Sequence, residues 1–89
     1  METQTSQTPV RIVVAEDEAL IRMDLVEMLG EAGYQVVAQA ADGAQAIELV
    51  KEHQPDLAIL DVKMPVLDGI SAAEEIINTC PVLMLTAFS

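Results

Sequence analysis

The chain has 89 residues, the size of one small domain, and is 52% apolar. Fifteen acidic residues against four Lys and Arg give a formal net charge of −11. Phosphate backbones and anionic bilayers are met with cationic side chains, so this composition argues against nucleic acid or a membrane as partner of this segment. A strongly acidic chain concentrates cations instead.

Residues 1–9 are polar, rich in Thr and Gln, and are expected to form a disordered tail. They have neither the basic start nor the apolar stretch of a secretory signal. Val10 to Ala15 (VRIVVA) predicts a buried strand that ends abruptly at Glu16, Asp17 and Glu18. Ile21, Leu25, Met28, Leu29 and Ala32 then recur at helical spacing, and Gly33 closes that helix. Gln35 to Ala40 (QVVAQA) reads as a second strand, placed at an edge because polar residues interrupt it. Asp42 and Gly43 open a second helix with an apolar stripe of Ala46, Ile47 and Val50, which Pro55 prevents from continuing past His53. Asp56 to Leu60 (DLAIL) is a third strand and runs into Asp61. Val62 to Gly69 is a loop marked by Pro65 and by Asp68-Gly69. A short helix from Ile70 to Ile77 follows, with Ile70, Ala73 and Ile77 on one side. Pro81 to Leu85 (PVLML) is a fourth strand ending at Thr86.

Strands that alternate with helices and are almost purely apolar imply a parallel sheet covered on both faces. With Tyr34 and Phe88 as the only aromatics, the core must be aliphatic. Met23, Met28 and Met84 are expected to fill it. Cys80, the sole cysteine, excludes an intramolecular disulfide and reads as a small buried filler.

In an open parallel sheet, ligands bind beyond the carboxyl ends of the strands. Glu16 and Asp17 end the first strand, Asp61 the third and Thr86 the fourth. If strands one and three are neighbours, their carboxylates share one crevice and repel one another unless protonated or held by a cation. Oxygen ligands without His or Cys favour a hard divalent ion, and Mg²⁺ commonly pairs one or two carboxylates with substrate phosphate oxygens. Asp61, alone at a strand end, is the candidate nucleophile toward phosphorus. The structural alternative is that Asp17 and Asp61 merely cap a helix and a turn.

VVAEDE (13–18), LAILDVKMPVLDG (57–69) and LTAFS (85–89) together resemble the receiver domains of two-component response regulators. The resemblance covers residues 10–89 and implies a flavodoxin-like (CheY-like) α/β fold, strand order 2-1-3-4, with the family's fifth strand and last helices absent. It implies that Asp61 accepts a phosphoryl group from a sensor histidine kinase. Glu16, Asp17, Asp61 and the backbone carbonyl of Lys63 would hold Mg²⁺. Thr86 would be the switch hydroxyl, with Pro65 and Gly69 shaping the loop. ALIRMDLVEML (19–29) and LDVKMP (60–65) further resemble antiterminator regulators, in which an RNA-binding module of the ANTAR type follows the receiver. The expected location is cytoplasmic, and no substrate is turned over.

Neither Lys51 nor Lys63 matches the lysine that the family carries on its fifth strand. A receiver that has lost phosphorylation and serves as an interaction module is therefore the alternative. An uncovered fourth strand would favour a homodimer or strand exchange. A dehalogenase-type hydrolase wants a second acid two residues after the nucleophile, where this chain has Lys63. Nucleotide-binding loops of the G-x-x-x-x-G-K-[ST] or G-x-G-x-x-G type do not occur.

Overall fold

The computed structural model describes residues 8–85. Most of the expected N-terminal tail and Thr86 lie outside the described residues. The elements follow in the order β1 (Arg11–Ala15), α1 (Ala19–Glu31), β2 (Gln35–Ala40), α2 (Gly43–His53), β3 (Leu57–Asp61), α3 (Gly69–Ile76) and β4 (Val82–Leu85). The strands form one parallel sheet in the order β2-β1-β3-β4. β2 stands at an edge, as its polar interruptions predict.

β1 shows why both faces must be covered. Ile12 and Val14 point to one side and Val13 and Ala15 to the other, and all four are fully buried. Period-two alternation leaves no polar face on such a strand, so helices must pack on each side. On one side Val13, Ala15, Ala58 and Leu60 meet Ala46 and Val50 of α2 and Ala72 and Ile76 of α3. On the other, Ile12, Val14 and Ile59 meet Leu25 and Leu29 of α1. Burying an Ile or Leu side chain stabilises by about 2–3 kcal/mol, so Ile12, Leu60 and Ile76 are principal anchors.

Local chemistry fixes the helix ends. Asp42 caps α2, its carboxylate accepting the Gln45 N–H at 2.8 Å, while the Gln45 side chain accepts the Ala41 N–H at 2.9 Å. Arg11 holds the other end of α2 by donating to the His53 and Gln54 carbonyls at 2.9 and 3.1 Å. Gly33 takes φ 96° after α1, and Tyr34 N–H bonds the Leu29 carbonyl at 3.0 Å. A left-handed residue there is what glycine supplies without steric cost.

Two helix faces differ from the sequence pattern. α1 has apolar residues all round and buries none of them fully. Met23 and Met28 are each 61% exposed, not core filler, and only Met84 of the three packs against the core. In α3 the buried residues are Gly69, Ala72 and Ile76, while Ile70 and the C-cap Ile77 are more than half exposed. The short helix carries two overlapping apolar stripes, and close packing against β3 and α2 buries the one that begins with Gly69, where a larger residue would meet the Asp61 carbonyl. No helix among the described residues is long and apolar enough to cross a membrane.

Candidate metal and phosphoryl site

β1 and β3 are direct neighbours, with Ala15 opposite Leu60. Parallel pairing sends both strands toward the same end of the sheet, so Glu16 and Asp61 emerge side by side. One carboxylate oxygen from each of Glu16, Asp17 and Asp61 lies within 4.8 Å of the others. Glu16 and Asp61 are only 5% and 6% exposed, whereas Asp17 is open to solvent.

Full charges on the two nearly buried carboxylates at that separation would repel by about 3.5 kcal/mol at an effective dielectric of about 20, and the solvent-exposed Asp17 adds less because water screens it. Burial, foremost, raises the Glu16 carboxyl above its ordinary range. The backbone N–H of Glu18 opposes this by bonding Glu16 Oε2 at 2.9 Å, and the Asp17 side-chain contact and the charges of Asp61 and Asp17 add to the rise. Among the described residues no hydrogen bond reaches the Asp61 carboxylate. Two nearly buried carboxylates and a third at the rim form an all-oxygen donor set, and a hard divalent cation fits it.

Asp17 does not cap α1. The N-cap is Glu18, which makes no side-chain cap bond. Asp61 is the last residue of β3, lies opposite Leu85 and does not cap α3; Asp68 does, accepting the Ser71 N–H at 2.8 Å. That bond holds the Asp68 carboxyl below its ordinary range. Lys63 is exposed in the loop after β3. It shares with Asp17 an open groove of about 700 Å³ that continues past Met64 and Pro65 to Ile70 and Ser71.

The loop from Val62 to Asp68 is clamped at both ends by glycine. Gly69 N–H bonds the Val62 carbonyl at 2.9 Å, and a Cβ on Gly69 would overlap the carbonyl oxygen of Asp61. Gly43 N–H bonds the Leu67 carbonyl at 3.0 Å, and a Cβ there would overlap that oxygen. The role of Gly43 in holding this loop has no signal in the sequence beyond a helix start, because the contact joins segments 24 residues apart. Arg22, whose guanidinium donates to the Glu16 carbonyl, was equally invisible as a site residue.

An acidic triad at the carboxyl ends of β1 and β3, in a parallel sheet of this order, defines a class. Residues 12–89 match the response regulator receiver domain, and the chain belongs to that family. It is 59% identical over 83 residues to the transcriptional regulatory protein PdtaR of Mycobacterium tuberculosis, covering 91% of this chain and 40% of PdtaR. The chain thus spans about two fifths of the length of that relative. Among solved structures, the signal receiver domain of NarL from Mycobacterium tuberculosis superposes with a TM-score of 0.86 at 38% identity, covering 93% of this chain and 70% of that one. CheY in the CheX–CheY–BeF3–Mg²⁺ complex from Borrelia burgdorferi has a TM-score of 0.85 at 27% identity, covering 90% of this chain and 63% of that one.

Proposed function

We propose that this receiver accepts a phosphoryl group on Asp61 from a sensor histidine kinase, with Mg²⁺ held by Glu16, Asp17, Asp61 and the Lys63 backbone carbonyl. The convergence of the three carboxylates within 4.8 Å, two of them nearly buried, carries the reading. The Borrelia relative was solved with BeF3 and Mg²⁺, which supports the same ligands here. When bound, Mg²⁺ supplies the positive charge that offsets the carboxylates and the phosphoryl oxygens.

The chain's residues then act as follows. An Asp61 carboxylate oxygen attacks phosphorus, a P–O bond forms, and the bond from phosphorus to the donor imidazole nitrogen breaks, leaving its electron pair on nitrogen. β3 and the Gly69 clamp hold Asp61 still, so the reaction gains from positioning. Glu16 is kept from water and Asp17 stands at the open rim, where a phosphoryl donor enters. Thr86, next in sequence after the Leu85 that faces Asp61, is assigned the switch hydroxyl. The chain modifies itself and turns over no substrate. A transcriptional output extends the likeness to PdtaR; a cytoplasmic location and an RNA-binding module of the ANTAR type belong to the proposal through the sequence resemblance alone.

Intact mass after incubation with acetyl phosphate and Mg²⁺ tests the reading. One phosphoryl adduct is expected, lost in Asp61→Asn and without metal. No adduct on a folded sample would refute it.

A further inference from the structure

Arg22 is the fourth residue of α1, after the N-cap Glu18. A cation so near a helix N-terminus opposes the helix dipole. It is nonetheless partly buried, and its guanidinium donates to the backbone carbonyl of Glu16. Its own N–H donates to the Glu18 carbonyl at 2.9 Å. Glu16 is thereby held at every polar group. Its N–H bonds the Ala40 carbonyl at 3.0 Å, its carboxylate accepts the Glu18 N–H at 2.9 Å, and its carbonyl accepts from Arg22. The exposed Asp17 therefore projects from a turn fixed on both sides.

The other cations are placed differently. Arg11 begins β1 and is engaged at the opposite end of the sheet. Lys51 lies in the last turn of α2, and Lys63 is exposed in the loop after β3.

The geometry points to Arg22 as a positioning residue of the metal site: bonded to the Glu16 carbonyl, it fixes the turn between β1 and α1 and with it the spacing of the Glu16 and Asp17 carboxylates toward Asp61. This inference rests on the Mg²⁺ reading proposed above. Two effects of removing Arg22 oppose each other. Loss of a nearby positive charge would tighten binding of a cation, whereas loss of the brace would loosen it. The guanidinium bonds a carbonyl, so it neutralises no ligand, and its field at an open rim is screened by water and salt. Groups that orient metal ligands commonly matter far more. The brace therefore dominates.

The test is Mg²⁺ affinity of the full chain by titration calorimetry, with the Mg²⁺-induced rise in Tm as a second readout and circular dichroism for folding. Arg22→Met keeps the apolar stem and removes charge and donors; it should weaken Mg²⁺ binding about 10-fold. Arg22→Lys retains the charge but not the planar fork, so a smaller loss is expected. Unchanged or tighter Mg²⁺ binding by folded Arg22→Met overturns the proposal, as does a lower Tm with the affinity intact. Should Arg22→Met not fold, Arg22→Lys carries the test, and wild-type affinity counts against the proposal. A wild-type chain that binds no Mg²⁺ would sink the underlying site reading and this inference with it. Wild-type binding that is indifferent to Arg22 would sink the inference alone.

Discussion

Replacing Gly69 by alanine probes how closely β3 and α3 are joined beneath the site. Gly69 is buried at the first position of α3. An added Cβ would overlap the Asp61 carbonyl oxygen, lie 2.9 Å from the Asp61 carbonyl carbon and 3.0 Å from the Val62 Cα. All three are backbone atoms, so no change of rotamer relieves the contact. Carbon atoms pack comfortably at about 3.5–4.0 Å, so α3 must lift or the end of β3 must turn. Overpacking a close-packed site costs about 1–3 kcal/mol, and a rigid backbone neighbour puts this case near the upper figure. A domain of this size has about 4–12 kcal/mol in all, so the loss should be large yet measurable. Urea unfolding followed by circular dichroism reads it directly. Gly30→Ala is the control, because nothing lies within 4 Å of its added Cβ. Gly30 lies in the last turn of α1, so the change should stabilise by no more than about 0.5–1 kcal/mol, the mid-helix figure. A Gly69→Ala midpoint within about 0.5 kcal/mol of wild type, the range of an ordinary surface change, would refute the close approach.

Asp42→Ala removes the cap of α2 and should cost about 1 kcal/mol in the same assay, whereas Asp42→Asn should keep most of it. Val66 is a β-branched residue at φ 69°, 81% exposed, in a tight turn closed by the Leu67 N–H on the Pro65 carbonyl at 2.7 Å. Val66→Gly should therefore stabilise by about 1 kcal/mol, and a loss would show that the side chain matters more than the strain. Burial, then the Asp17 contact and the neighbouring acids, make Glu16 bind its proton more tightly in the folded chain than in the unfolded one. In chelator, stability should thus rise as pH falls from neutral through the raised folded pKa toward the unfolded value, and level off below it. Melting curves of Glu16→Gln should lack that rise; an equal rise in the variant would assign it elsewhere.

The sequence by itself determined the order of elements, the class of fold and which three acids meet at one end of the sheet. Apolar runs that stop at Glu16 and Asp61 are local patterns, and parallel pairing carries both ends to one side whatever the helices do. Asp42, Gly33 and the edge position of β2 were legible for the same reason: capping, left-handed turns and polar interruption are chemistry of neighbours in sequence. What only tertiary structure decided depends on contacts between distant segments. α1 has apolar residues around its whole circumference, so its pattern could not say that Met23 and Met28 face solvent. α3 has two stripes, and only its fit against β3 and α2 buries Ala72 and Ile76 instead of Ile70 and Ile77. Arg11 on the end of α2, Gly43 on Leu67 and Arg22 on Glu16 are likewise contacts across turns and between elements. Periodicity records which residues want to leave water; the partner each one meets is set when the layers close.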